Sequence, residues 1–236
     1  MIVARGLSKS YGGVPVLRGL DLTIARGRVT AIVGPNGAGK TTFIKSLLGL
    51  TRPEAGTLTF DGVAIGDDEG YRARIGYMPQ IAHFPANLTG TDVLALLRDL
   101  RGVASFDERL IDELGLRASL DRQLRVLSGG TRQKVNAVAA FLFAPALYVL
   151  DEPTSGLDPV SSVILKRRIL GERAAGRTII MTSHILSEID EMADDVVFLH
   201  DGHVQFAGGV SALRHETGQA TVERAIAALM TREAAA

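Results

Sequence analysis

Residues 29–41 read Val-Thr-Ala-Ile-Val-Gly-Pro-Asn-Gly-Ala-Gly-Lys-Thr: an apolar run of strand length, a glycine-rich turn, then Lys40 and Thr41 opening a helix with Phe43, Ile44, Leu47 and Leu48 at its apolar positions. The turn matches G-x-x-x-x-G-K-[ST] without a mismatch, and both flanks are of the type the motif requires. Gly34, Gly37 and Gly39, with Pro35, Asn36 and Ala38 between them, let backbone N–H groups close round an anion. The helix N-terminus adds positive potential, Lys40 reaches the terminal phosphates, and the Thr41 hydroxyl is a ligand for Mg²⁺. An ordinary strand-to-helix turn gives no reason for Lys and Thr at these offsets. ATP or GTP with magnesium is the expected ligand, and an α/β fold the expected scaffold.

Working outward, Thr178 to Thr182 is a second apolar β-branched run, separated from the first by helix-length segments, as parallel strands buried on both faces are. Residues 57–65 and 196–206 each set an Asp-Gly pair between β-prone runs, the signal of a type I′ hairpin. Residues 2–24 form an antiparallel N-terminal portion. Between about 85 and 144 the pattern is helical, with Val93, Leu94, Leu96, Leu97 and Leu100 on one side, so a small helical lobe is placed there. Val222, Ile226, Leu229 and Met230 mark an amphipathic helix in the tail, residues 209–236.

Composition narrows the function. The 236 residues carry 26 Lys+Arg against 26 Asp+Glu, so no global basic field draws the chain to nucleic acid. With no cysteine, thiolate metal sites, disulfide scaffolds and cysteine nucleophiles are excluded. The longest apolar stretch, Ala137 to Leu150, is too short to span a bilayer and is interrupted by Pro145, and the first residues lack the apolar run of a signal peptide.

Two further motifs complement the glycine-rich turn. Leu147 to Leu150 is an apolar strand that ends in Asp151 and Glu152: the first can hold Mg²⁺ or its water shell, the second can polarise the water that attacks a γ-phosphate. Ser128-Gly129-Gly130 opens a long apolar helix, an N-cap hydroxyl with exposed N–H groups that is itself an anion-binding geometry.

With these three motifs in this order the chain resembles the nucleotide-binding subunits of ATP-binding cassette (ABC) transporters, and the resemblance covers residues 1–208. It implies a P-loop NTPase core of the RecA type with an antiparallel β subdomain and the helical subdomain at about 85–144. It also implies a head-to-tail homodimer in which Ser128, Gly129 and Gly130 of one copy contact the ATP held by residues 34–42 of the other, Thr42 included. Tyr11 is similar to the aromatic that stacks on adenine, Gln80 to the glutamine that senses Mg²⁺ and the membrane partner, Asp158 to the residue coupling the two sites, and His184 to the γ-phosphate histidine. Thr131 departs from the pattern, standing where many members carry Gln.

A single cassette with no membrane span implies a separate integral membrane permease, contacting the groove from Gln80 to Leu88 with Phe84 as the candidate contact, and a place on the cytoplasmic face of the inner membrane. The short tail and the Tyr77 to Thr89 run resemble the type-2 exporter branch, and within it the ATPases that serve copper-centre maturation of nitrous oxide reductase, which work with a membrane subunit and a periplasmic accessory protein. No nucleic-acid partner is expected. Two other readings stay open here: a P-loop small-molecule kinase, and a soluble nucleic-acid-acting cassette using a local patch of Arg122, Arg125, Arg132 and Lys134.

Overall fold

Chain order begins with a long antiparallel hairpin, Ile2–Tyr11 (β1) and Val14–Ile24 (β2). A computed structural model describes residues 1–66, 69–102 and 106–234. After the hairpin come Val29–Val33 (β3), Lys40–Leu47 (α1), Ala55–Phe60 (β4), Val63–Ala64 (β5) and Ile75–Met78 (β6). Gly90–Arg101 (α2), Arg109–Glu113 (α3) and Gly129–Phe141 (α4) follow without an intervening strand. The chain then alternates through Leu147–Asp151 (β7), Pro159–Ala174 (α5), Thr178–Thr182 (β8), Leu186–Met192 (α6), Asp195–His200 (β9) and His203–Gly209 (β10), and ends in Val210–Thr217 (α7) and Val222–Ala234 (α8).

Two sheets result. The first has the order β2-β1-β4-β5 and is antiparallel throughout. The second has the order β10-β9-β3-β8-β7-β6, parallel except for the edge strand β10. Its strands divide their side chains by alternation. Ala31, Tyr148, Leu150, Ile179, Met181 and Phe198 face a core shared with α4, α5, α6, α7 and α8, whereas Ile32, Leu147, Val149, Ile180 and Val197 face a second core with α1 and the antiparallel sheet. Both faces are covered, which is why β3, β7 and β8 read as continuous apolar runs.

Both Asp-Gly hairpins form: Asp61 and Gly62 have φ of 53° and 84°, Asp201 and Gly202 of 46° and 79°, the left-handed pair a type I′ turn needs. Two apolar stripes are only partly covered. On α2, Val93 and Leu94 are buried, but Leu96 and Leu100 are 51% and 75% exposed. On α8, Val222, Ala225, Ile226 and Leu229 are buried, while Met230 is 41% exposed. In both helices the apolar stripe in the sequence is wider than the face the chain itself covers.

Candidate nucleotide site

The strand order sets β3, β8, β7 and β6 side by side and parallel, so their carboxyl ends share one edge, the usual ligand edge of an open α/β sheet. From β3 comes the glycine-rich turn, from β8 Thr182 to His184, from β7 Asp151 and Glu152, and from β6 Gln80. A cleft of about 390 Å³ opens there, lined by residues 36–42, Val16, Gln80, Asp151, Glu152 and His184.

Helix α1 meets this cleft with a bare N-terminus. Thr89, Ser128 and Asp158 each cap their helix by accepting a backbone N–H, whereas the cap position of α1 is Gly39, at φ 103°, with no side-chain cap and no acid in the first turn. The free N–H groups and the dipole of α1 therefore face the cleft unanswered. Lys40 Nζ donates to the carbonyls of Gly34 at 2.5 Å and Pro35 at 2.9 Å. Burial lowers the Lys40 pKa, against the pull of Glu152 and Asp151, so an incoming phosphate would restore what the side chain lost in leaving water. The glycines answer to space as well as to torsion. A Cβ on Gly34, at φ 151°, would lie 2.1 Å from the Leu199 carbonyl oxygen, and one on Gly39 would lie 2.9 Å from that of Val16.

Across the cleft, Thr182 organises the end of β7. Its hydroxyl donates to Asp151 Oδ1 at 2.6 Å and accepts the Glu152 N–H at 3.0 Å, and its carbonyl accepts the same N–H at 3.2 Å. Glu152 has φ 51°, a left-handed conformation costly for a side chain of its size, and its Oε1 lies 2.8 Å from His184 Nε2. Thr41, Gln80 and Asp151 present oxygens of the hard kind Mg²⁺ prefers. Among the described residues no group of three or more His, Asp or Glu side chains gathers to hold a metal.

Other sequence candidates lie elsewhere. Tyr11 is 47% exposed, with its hydroxyl 3.4 Å from Thr51 Oγ1 and Lys9 over its ring, and it does not line the cleft. Ser128 caps α4 by accepting the Thr131 N–H at 3.1 Å, and its Oγ is 2.8 Å from Thr131 Oγ1, so the residue that departs from the family pattern buttresses the cap. Asp158 caps α5 through the Ser161 N–H at 2.9 Å and pairs with Lys134 of α4 at 2.9 Å; Lys134 first, then Ser161, hold its carboxyl well below the usual range. Asn136 of α4 donates to the Pro79 carbonyl at 2.7 Å, fixing the loop that carries Gln80. Thr182 and Asn136 were not singled out from the sequence, and Lys134 only as part of a basic patch, because a threonine at a strand end and polar residues within an amphipathic helix give no signal of the partners they reach.

The ABC transporter family model matches residues 17–155, more than half of the chain. The chain belongs to the ATP-binding subunits of ABC transporters. It is 33% identical to the Nod factor export ATP-binding protein I of Ralstonia nicotianae, over 94% of this chain and 72% of that one. It is 37% identical to the daunorubicin/doxorubicin resistance ATP-binding protein DrrA of Streptomyces peucetius, over 92% and 68%, and 32% identical to the ABC-type transporter ATP-binding protein EcsA of Bacillus subtilis, over 92% and 91%. A solved ATP-binding subunit of an ABC transporter superposes with a TM-score of 0.91 at 32% identity, covering 98% of this chain and 99% of that one. At 24% identity and a TM-score of 0.78, a dimeric ATP-binding cassette shares the fold. This ABC subunit is thus an ATPase of a transporter, which sets aside the kinase and nucleic-acid readings. The basic patch considered for nucleic acid is also partly engaged within the chain, Lys134 with Asp158 and Arg132 Nη1 with the Leu127 carbonyl at 2.6 Å.

Proposed function

We propose that two copies of this ABC subunit close head to tail on Mg-ATP, that hydrolysis at Glu152 reopens them, and that a separate membrane subunit takes up the motion. The observation that carries the reading is a separation within one chain. Lys40, Asp151, Glu152 and His184 line one cleft, while Gly129 lines another that shares only Gln80 with it, and Ser128 and Gly129 stand exposed at the start of α4. A second copy related by a twofold axis would lay its α4 N-terminus on the γ-phosphate held by the first, and receive the same contact in return. ADP lacks that phosphate, so the contact distinguishes the two nucleotides and gives ATP its differential affinity for the closed state.

In this reading Lys40 and the N–H groups of residues 37–42 hold the β- and γ-phosphates, and Tyr11 stacks on adenine. Thr41, Gln80 and Asp151 hold the magnesium ion, which when bound neutralises developing phosphate charge. Glu152 accepts the proton of the attacking water, and His184, already 2.8 Å from Glu152, orients it and contacts the γ-phosphate.

The membrane subunit is assigned to a groove of about 360 Å³ between the parallel sheet and helices α2 and α4, lined by Tyr77, Phe84, Leu97 and Phe143 among others. Ile81, Leu50 and Leu100 stand 65%, 62% and 75% exposed, apolar surface that a partner would cover. Among the described residues no helix is long and apolar enough to cross a membrane, so the span would come from that partner, with this chain on the cytoplasmic face of the inner membrane. Sequence resemblance alone supports the finer assignment, an exporter-branch system maturing the copper centre of nitrous oxide reductase with a periplasmic accessory protein.

The molar mass of the Glu152→Gln variant in solution tests the core of the proposal. A dimer that appears only with Mg-ATP supports it; a monomer saturated with Mg-ATP overturns ATP-driven closure of this chain by itself.

A further inference from the structure

We propose that Glu188 is a positioning residue for ATP hydrolysis, a buried carboxylate that ties the loop leaving β7 to the loop leaving β8 and so fixes the approach of Glu152 to His184. The proposal rests on the reading that these two side chains carry the reaction.

Glu188 lies in α6, the helix that follows His184, and is 7% exposed. Its Oε2 accepts a hydrogen bond from Thr154 Oγ1 at 2.7 Å and a longer one from Ser183 Oγ at 3.4 Å. Thr154 is two residues beyond Glu152, Ser183 is the residue before His184, and both are themselves buried. One carboxylate therefore grips both catalytic loops. Thr182 grips them from the sheet side, through Asp151 Oδ1 and the Glu152 N–H. The left-handed backbone at Glu152 needs such a double hold, because a strained residue persists only where its surroundings over-determine it.

The chemistry of the site argues against simple packing. Burying a carboxylate is costly, and an apolar side chain of similar volume would fill the same space without that cost. Two hydroxyls donate to Glu188, and among the described residues it forms no ion pair. What a carboxylate supplies, and an apolar group does not, is an acceptor oxygen, Oε2, shared by a hydroxyl from each of the two loops. If those loops drift by about 1 Å, the Glu152–His184 geometry is lost, and an error of that size costs up to about 100-fold in rate.

The test is single-turnover hydrolysis with protein in excess over ATP, together with equilibrium binding of ATP, for Glu188→Ala, Glu188→Gln, Thr154→Val and Glu152→Gln. Glu188→Ala is expected to lower the hydrolysis rate at least about tenfold with the ATP dissociation constant within about twofold of the parent. Glu188→Gln keeps an acceptor oxygen for Thr154 and is expected to recover the rate to within about threefold. A parent-like rate in Glu188→Ala overturns the proposal, and so does an equal loss in Glu188→Gln. If Glu188→Ala does not fold, Thr154→Val decides: a loss of rate at unchanged affinity supports the clamp, and a parent-like rate overturns it. Glu152→Gln separates the two levels, since a variant that still hydrolyses ATP overturns the assignment of Glu152 as base rather than the clamp alone.

Discussion

At the scale of single residues, the glycines of the phosphate turn are distinguished by what surrounds them. Gly34 sits at φ 151° with the Leu199 carbonyl oxygen 2.1 Å from where a Cβ would be, whereas Gly37 sits at φ 83° with open space around it. Gly34→Ala is expected to displace the turn and abolish ATP binding, because backbone cannot retreat as a flexible side chain can. Gly37→Ala should cost only the torsional strain of a left-handed alanine, about 1 kcal/mol, and leave ATP binding measurable. Thermal unfolding and nucleotide titration of the two variants, side by side, check the contrast. Only the identity of each glycine is visible in the sequence; the carbonyl that forbids a side chain at Gly34 belongs to a strand more than 160 residues away.

Among the elements, α6 has two attachments. Glu188 turns toward the catalytic loops, while Asp190 accepts from Arg214 of α7 at 2.5 Å and from the Val222 N–H of α8 at 3.1 Å. Asp190 thus closes the N-terminus of α8 from another helix, a cap that no local pattern around residue 222 announces. Asp190→Ala is expected to loosen α7 and α8 by about 1–2 kcal/mol while sparing the sheet. Amide hydrogen exchange should then quicken across residues 210–229 and remain slow in β3, β7 and β8. Exchange rising equally in those strands would mean that the tail and the sheet unfold as one unit.

Across the whole molecule, one carboxylate adds an electrostatic tie to the core that the antiparallel and parallel sheets share. Asp61, in the turn between β4 and β5, bonds the Met1 amine, Arg74 at the foot of β6, and Arg26 from the loop before β3, the last at 2.8 Å. Burial alone would raise its pKa, but the three cations outweigh it and bring it down to about 2. A carboxylate depressed in the folded state stabilises the fold above its ordinary titration range, and that contribution is lost as the pH falls through about 2. From the shift, Asp61→Asn is expected to cost about 2 kcal/mol at neutral pH, in an order-of-magnitude sense. Denaturant titrations should show the gap between parent and variant narrowing from pH 5 downward and vanishing near about pH 2. A gap independent of pH would assign the loss to packing instead of charge.

The local physics of the chain was legible without coordinates. The cradle at 34–41, the acidic strand end at Asp151 and Glu152, and the Ser128-Gly129-Gly130 helix start are each decided by neighbours in sequence, and so are the two Asp-Gly hairpins. Strand runs such as Val29–Val33 revealed double-sided burial because every residue in them is apolar. What needed the fold is whatever depends on which strand lies beside which. The order β3-β8-β7-β6 gathers Lys40, Glu152, His184 and Gln80 from positions far apart in the chain, and it leaves Gly129 on another cleft. Likewise the wide apolar stripes of α2 and α8 gave no sign that Leu100 and Met230 would stay in solvent, because periodicity records which residues share a face, not how much of it a neighbour covers. Thr182, Glu188 and Asp190 have partners remote in sequence, and hydrogen bonds of that kind leave no spacing to read. Sequence determined the chemistry each segment carries, since short-range sterics and capping act within a few residues; tertiary structure alone decided which chemistries meet.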